Sequence, residues 1–261
     1  MNLIETQKFA EKLARDAGEI LLAKFGKSKI AVEKGANDFA TDADLASEKL
    51  IVAAIRKKFP DDGILAEESV ADFDSRKRNW VIDPLDGTKN FHFGLPNWCV
   101  SIALQIGGES VVGVVFAPIT GQLFAARRGG GATVNGQKIS VSTTPKISDA
   151  LIVVEIPRRH TSGDRFKKDV SAFTRSLEKV RRVRAFAAAA LDLALVARGA
   201  ADGYLDFSRN TKIWDVAAGE LLVREAGGKI ADATPPNLKF PDISLLATNA
   251  KLHREMKRLL G

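Results

Sequence analysis

Glu67 and Glu68 close the short apolar run Ile64-Leu65-Ala66, and Trp80-Val81-Ile82-Asp83-Pro84-Leu85-Asp86-Gly87-Thr88 follows soon after. Far downstream, Ile213-Trp214-Asp215-Val216-Ala217-Ala218-Gly219 sets another acid among apolar neighbours. Carboxylates placed against apolar strand residues need a counter-charge, because an isolated buried ion is costly. A divalent cation that prefers oxygen ligands is the natural one. Pro84 fixes φ and cannot donate a ladder hydrogen bond, so the strand is expected to end there and the backbone to turn. In that turn Asp83 and Asp86 can converge on one or two cations, with the Leu85 carbonyl as a further ligand. Gly87 permits close backbone approach, and Thr88 is expected to open a short helix whose free amides face an anion. Acids for metal followed directly by amides for phosphate is the spacing of a magnesium-dependent phosphatase centre.

The elements that must hold these residues can be read from periodicity. Leu3, Ile4, Phe9, Leu13, Ala17, Ile20, Leu21 and Phe25 recur at helical spacing until Gly26, and a second amphipathic helix is expected over 44–59. Strands are expected at 29–33, 64–66, 80–83, 98–106, 111–117 and 122–127, with a flexible turn at 34–38. Beyond about residue 145 the pattern becomes strand–helix alternation. Strands fall at 150–155, 181–184, 203–207, 229–231 and 243–247, and helices near 163–178, 188–198, 214–226 and 250–260. This predicts a sheet-rich α+β half over 1–145 joined to an α/β half over 146–261, with one cleft shared between them.

The 261 residues, 45% hydrophobic and 27% charged, describe an ordinary globular chain with no apolar run of bilayer-spanning length. One cysteine, Cys99, excludes an internal disulfide and argues against a Cys-based zinc site, which suits the cytoplasm. The net charge of +7 is spread along the chain, and its densest run, Lys179-Val180-Arg181-Arg182-Val183-Arg184, alternates as a solvated strand face does. Neither a nucleic-acid nor a membrane partner is expected. A positive field that draws in small anions is the second reading of that charge. His92, His160 and His253 follow no catalytic spacing.

Taken together, Glu67-Glu68, Asp83-Pro84-Leu85-Asp86-Gly87-Thr88 and Trp214-Asp215-Val216-Ala217-Ala218-Gly219 resemble the inositol monophosphatase family. This is the magnesium-dependent, lithium-sensitive phosphatase superfamily. The likeness extends to Asp38-Phe39-Ala40-Thr41-Asp42-Ala43-Asp44 and Ala200-Ala201-Asp202-Gly203-Tyr204, and so over nearly the whole chain. The resemblance implies a layered αβαβα sandwich, a homodimer, and two or three Mg²⁺ ions per site. It implies Glu67, Asp83 and the Leu85 carbonyl for the first ion, and Asp83, Asp86 and Asp215 for the second. A third, weaker ion would lie near Glu67 and Glu68, with Asp44 acting through waters and Asp38 helping to hold it. The amides of Gly87 and Thr88 would cradle phosphate. Thr88, bonded to Asp44, would orient the attacking water together with Glu67.

The implied substrate is a small sugar or polyol phosphate, inositol 1-phosphate or fructose 1,6-bisphosphate or both. Asp206 takes the place of an acid that contacts substrate hydroxyls in inositol phosphatases. The segment Phe207-Ser208-Arg209-Asn210-Thr211-Lys212-Ile213 looks more like the archaeal dual-specificity type, with Arg209 or Lys212 available to a second phosphate. Where the family has a Gly-Ser step against the substrate, this chain has Ala187-Ala188-Ala189-Ala190, and Ala189 is taken as a substrate-facing position. A 3′-phosphoadenosine nucleotidase, a histidinol phosphatase, or a non-catalytic RNA-binding or regulatory protein on this scaffold are the alternatives.

Overall fold

The computed structural model describes residues 2–35, 38–71, 73–74, 76–158, 163–232 and 245–259. Helix α1 (Leu3–Lys24) starts where the Asn2 side chain accepts the amides of Ile4 and Glu5, and it buries Leu13, Ala17 and Leu21. The hairpin β1 (Ile30–Gly35) and β2 (Asp38–Thr41) leads into α2 (Asp42–Lys58), whose first turn is closed by reciprocal bonds between Thr41 and Asp44. Then come β3 (Gly63–Ala66), β4 (Val70–Ala71), β5 (Arg78–Asp86), the single turn α3 (Thr88–His92), β6 (Cys99–Ile106), β7 (Glu109–Ala117), β8 (Gln122–Arg127), β9 (Gly131–Val134) and β10 (Gln137–Ile139). The remainder runs β11 (Leu151–Glu155), α4 (Gly163–Lys179), β12 (Arg182–Arg184), α5 (Ala189–Ala197), β13 (Gly203–Asp206), α6 (Ile213–Glu225), β14 (Lys229–Asp232), β15 (Leu245–Thr248) and α7 (His253–Lys257).

An eight-stranded sheet has the order β10-β9-β8-β7-β6-β5-β3-β4, antiparallel except where β3 runs parallel to β5. A five-stranded sheet has the order β12-β11-β13-β15-β14. Strand residues alternate between faces, and both faces of the larger sheet are covered. Ile64, Ile82 and Ile102 pack with Leu21, Ile51 and Ile55 of α1 and α2, whereas Leu65, Val81 and Ala103 pack with Leu193 of α5 and Val216 and Leu222 of α6. The same inner cluster reaches Val153, Tyr204 and Ala247 of the smaller sheet. Ile152, Val154, Leu205 and Leu246 face the other way, onto Ala172 of α4 and Met256 of α7. The result is a layered αβαβα sandwich. Gly113 on β7 lets α6 come close, since a Cβ there would stand 2.7 Å from the Ala218 carbonyl oxygen.

Several expectations need adjustment. The expected turn at 34–38 is largely strand, Lys34 and Gly35 completing β1 and Asp38 opening β2, while 36 and 37 lie outside the described residues. The C-terminal helix expected over 250–260 contracts to α7, residue 260 also lying outside the described residues. The strand expected at 243–247 is observed from Leu245, with 243 and 244 outside the described residues. Among the described residues, no helix is long and apolar enough to cross a membrane.

Candidate active site

Pro84 does not end its strand. β5 continues to Asp86, and the pairing with β6 slips by one residue between Asp83↔Ser101 and Asp86↔Cys99. The bulge accommodates an imide that cannot donate, and the Asp83 side chain supports it by accepting the Leu85 amide at 2.9 Å. Ser47 on α2 donates to the Pro84 carbonyl at 2.9 Å. Asp83, Leu85 and Asp86 thereby reach one cleft, with a cavity volume of about 240 Å³. Gly87 follows at φ +88°, where a Cβ would also stand 2.8 Å from the Asn97 carbonyl oxygen, so both conformation and space demand glycine. Thr88 then begins α3 with its amide end at the cleft.

The acids come from three separate chain segments. Glu67 leaves the end of β3, Asp83 and Asp86 sit on the bulge of β5, and Asp215 lies in the first turn of α6. Asp215 also closes that turn by accepting the Lys212 amide at 2.7 Å, so its capping and cleft-facing roles coincide. Burial pushes the carboxyl groups of Asp83 and Asp215 well up, and neighbouring acids push them further: Glu67, Asp86 and Asp215 on Asp83, and Asp86 and Glu67 on Asp215. Asp83 forms side-chain hydrogen bonds with both Glu67 and Asp215. Burial also raises Asp86, to about 6, against the pull of the Ala190, Leu191 and Ala189 amides at the start of α5. Its Oδ2 accepts the Ala190 amide at 2.7 Å.

Glu68 and Asp44 stand behind this lining. Glu68 is raised to about 7, first by burial, and its Oε1 lies 2.6 Å from Lys34 Nζ, which also reaches Glu67 Oε1 at 2.9 Å. Burial opposes the Lys34 charge, but Glu67 and Glu68 outweigh it and hold the ammonium above its usual range. Asp44 is fully buried, its Oδ2 accepting the Thr41 amide at 2.8 Å. The Thr88 hydroxyl lies 2.8 Å from Asp44 Oδ1 and 3.0 Å from the Leu85 carbonyl oxygen, and donates to one of them.

The donor set suits magnesium. It is all oxygen, largely buried, and strongly self-repelling, as sites for hard dications are. Among the described residues no three His, Cys, Asp or Glu side chains form a finished cage. Instead Glu67, Asp83 and Asp215 are joined carboxyl to carboxyl, a contact that charged groups tolerate only with a proton or a cation between them.

Two of the residues expected at the substrate are not among those lining the cleft. Asp206 is fully buried and turned back onto its own loop, its Oδ1 accepting the Ser208 amide and hydroxyl at 2.7 Å each and the Arg209 amide at 3.1 Å. Arg209 does not line the cleft, because its Nε donates to Asp169 of α4 at 2.9 Å. Lys212 and Ala189 do line it, as do Asp38 and Ala187. Ala187 holds φ +56°, so the left-handed step is kept here without glycine.

Other residues carry the site without a local signal of their own. Glu48 accepts the Glu68 amide at 2.9 Å and the Ser69 hydroxyl at 2.6 Å, fixing the turn that presents Glu67. The Asn90 amide nitrogen donates to Asn97 O at 2.7 Å and Phe186 O at 2.6 Å, tying α3 to the Ala187 step. Lys89, Glu155 and Arg158 complete one wall. Only long-range packing reveals them.

A family model described as the inositol monophosphatase family matches residues 2–260. The chain is 40% identical over 258 residues to a protein named Nus factor SuhB from Xylella fastidiosa, covering 95% of this chain and 92% of that one. Among solved structures, extragenic suppressor protein suhB from Bartonella henselae superposes with a TM-score of 0.89 at 35% identity, covering 98% of each chain. Inositol monophosphatase from Anabaena (Nostoc) sp. PCC 7120 superposes with a TM-score of 0.84 at 35% identity, covering 100% of this chain and 96% of the other.

Proposed function

Because the chain belongs to the inositol monophosphatase family, we propose that it is a Mg²⁺-dependent phosphomonoesterase acting on small sugar or polyol phosphates by direct attack of water. The observation that carries this reading is the meeting of Glu67, Asp83, Asp86 and Asp215 in one cleft beside the amide end of Thr88. Glu67, Asp83, the Leu85 carbonyl, Asp86 and Asp215 would hold two ions, and Glu67 with Glu68 a third. Bound magnesium would neutralise the ester's negative charge and acidify a water molecule. Asp44 holds Thr88 in place, and when the Thr88 proton is given to it, the hydroxyl oxygen is left to accept from the attacking water alongside Glu67. The amides of Gly87 and Thr88 face the phosphoryl oxygens, where developing charge needs donors.

Phosphate release from inositol 1-phosphate, fructose 1,6-bisphosphate and an adenosine 3′-phosphate, with and without Mg²⁺, tests this. Magnesium-dependent release from the first two supports it, and no release from any of them sinks it. The Nus factor name borne by the relatives favours keeping a second reading, a regulatory protein on a phosphatase scaffold. Family resemblance supports a homodimer, and the single Cys99 suits the cytoplasm.

A further inference from the structure

The surplus of positive charge looks scattered along the sequence, but the fold gathers much of it from two distant segments. Residues 163–179 and 250–259, about a tenth of the chain, hold nine Lys and Arg against four acids, a surplus of five out of the chain's seven. They form α4 and α7, which lie on the outer face of the smaller sheet and pack through Ala172 and Met256 onto Ile152, Val154, Leu205 and Leu246. Arg175 ties the two helices together, its Nη2 donating to the Leu259 carbonyl at 3.3 Å and its Nη1 to Ser171 Oγ at 3.0 Å. Lys168, Arg175 and Lys179 are spaced so that they share one stripe of α4, the one from which Arg175 reaches α7. Next to Leu259 the chain supplies Arg258 and Lys257, with Arg254 one turn back. All six of these cations are exposed. Among the described residues, Lys168, Lys179, Arg254, Lys257 and Arg258 form no ion pair. Two of the four acids are already engaged: buried Asp169 by Arg165 and Arg209, and Asp164 by Lys167. That leaves Glu178 and Glu255 on the two helices.

Six exposed cations on adjoining helices repel one another, and an extended polyanion laid along them relieves that repulsion. We propose that the basic face of α4 and α7 binds the phosphate backbone of a nucleic-acid duplex, without reading its bases. At 1.5 Å per residue α4 is about 25 Å long, enough to run past several phosphates. Arg181 and Arg182, exposed at the turn into β12, extend the positive charge beyond its end. A single strand would want aromatic rings on which to stack, but Phe166 and Phe173 are half-buried, and Phe173 packs on Phe207. The exposed aliphatic residues of α4, Val170 and Leu177, lie about half a turn away from the Lys168 stripe. The cationic stripe therefore lacks the apolar companion with which a helix enters a lipid surface. No residue of α4 or α7 lines the cleft, so this surface stands apart from the phosphatase reading.

Fluorescence anisotropy on the full chain tests this, with a labelled DNA duplex of mixed sequence and about 20 base pairs, long enough to span the face. Affinity should fall by about 10³-fold between about 50 and about 200 mM salt, as six phosphate contacts warrant. Lys168→Glu with Lys179→Glu, and independently Arg254→Glu with Lys257→Glu, should each weaken binding by about tenfold or more and flatten its salt dependence. Lys8→Glu with Lys49→Glu, on the helices α1 and α2 that cover the larger sheet, changes the net charge equally and should leave affinity within about twofold. Thermal melts matching the unaltered protein establish that each variant is folded. No binding at the lower salt, or an equal loss in the Lys8 and Lys49 variant, overturns the inference. Capture on phosphatidylserine vesicles without duplex binding would assign the face to a membrane and overturn it too. Absence of Mg²⁺-dependent phosphate release with duplex binding intact would overturn the phosphatase reading alone.

Discussion

Asp86 Oδ2 accepts the backbone N–H of Ala190 at 2.7 Å, joining the end of β5 to the first turn of α5 across 104 positions of chain. The same carboxylate faces the cleft and sits against the thiol of Cys99, 3.6 Å away. One side chain thus completes a helix end, where an anion is favoured by the free amides, and supplies charge to the proposed metal centre. Its two duties can be separated by substitution.

Asp86→Asn keeps an oxygen that can accept the Ala190 amide but removes the charge. Mg²⁺-dependent phosphate release should fall by about two orders of magnitude or more, while the melting temperature holds or rises, since a buried charge has gone. Asp86→Leu should lower it, because the α5 amides lose their acceptor. Steady-state assay and thermal melts on both variants check this. An Asp86→Asn protein with undiminished activity would remove Asp86 from the site.

Thr88→Val keeps the shape and deletes the hydroxyl that bridges to Asp44. The rate should drop about 10²-fold or more, the usual scale for a lost proton-handling group, with Thr88→Ser retaining most of it. The effect belongs in kcat, since the group is invoked at the reacting water. A change confined to KM would assign Thr88 to substrate binding instead.

Stability without metal should fall as pH rises. Burial raises Asp86 to about 6 and Glu68 and Glu155 to about 7, so the folded chain holds protons that the unfolded chain releases near pH 4. The unfolded state then binds fewer protons, ∂ΔG/∂pH is negative, and the stability present below pH 4 is lost progressively up to about pH 7. Melts in EDTA between pH 5 and 8 should show this slope, and saturating Mg²⁺ should flatten it by favouring the ionised acids. An EDTA profile that rises with pH would contradict the burial of these groups.

Ala187→Gly should stabilise the chain by about 1 kcal/mol, because an L-residue is strained at left-handed φ. Ala187→Val should destabilise it, a branched side chain being worse placed there. Denaturant titration of both variants measures the pair, and a destabilising glycine would show that its extra unfolded-state freedom outweighs the relieved strain.

The cleft-lining run from Asp83 to Thr88 was legible because it is local: proline, glycine and acids stand within a few residues of one another. Even there the outcome differed, since pairing with β6 absorbed Pro84 as a bulge instead of a strand end. The orientation of Asp206 depends on how Ser208 and Arg209 fold back onto it, and nothing in the spacing sets that. Arg209 finds its partner 40 positions away on α4. Glu48 and Asn90 look like ordinary surface polar residues until the packing brings their partners to them. The layer order was readable from family likeness and the two halves from periodicity, but β4, β9 and β10 are too short to announce themselves.

Helices α5 and α6 lie between the two sheets, buried on both sides, and α5 has few polar positions of its own. Cut the polypeptide near residue 145 and the larger sheet loses the cover of its inner face, while the released piece carries an oily surface with nowhere to go. Neither fragment should persist alone, yet the two could reassemble when mixed. Protease nicking in that region would leave a complex that elutes as one species and splits only in denaturant.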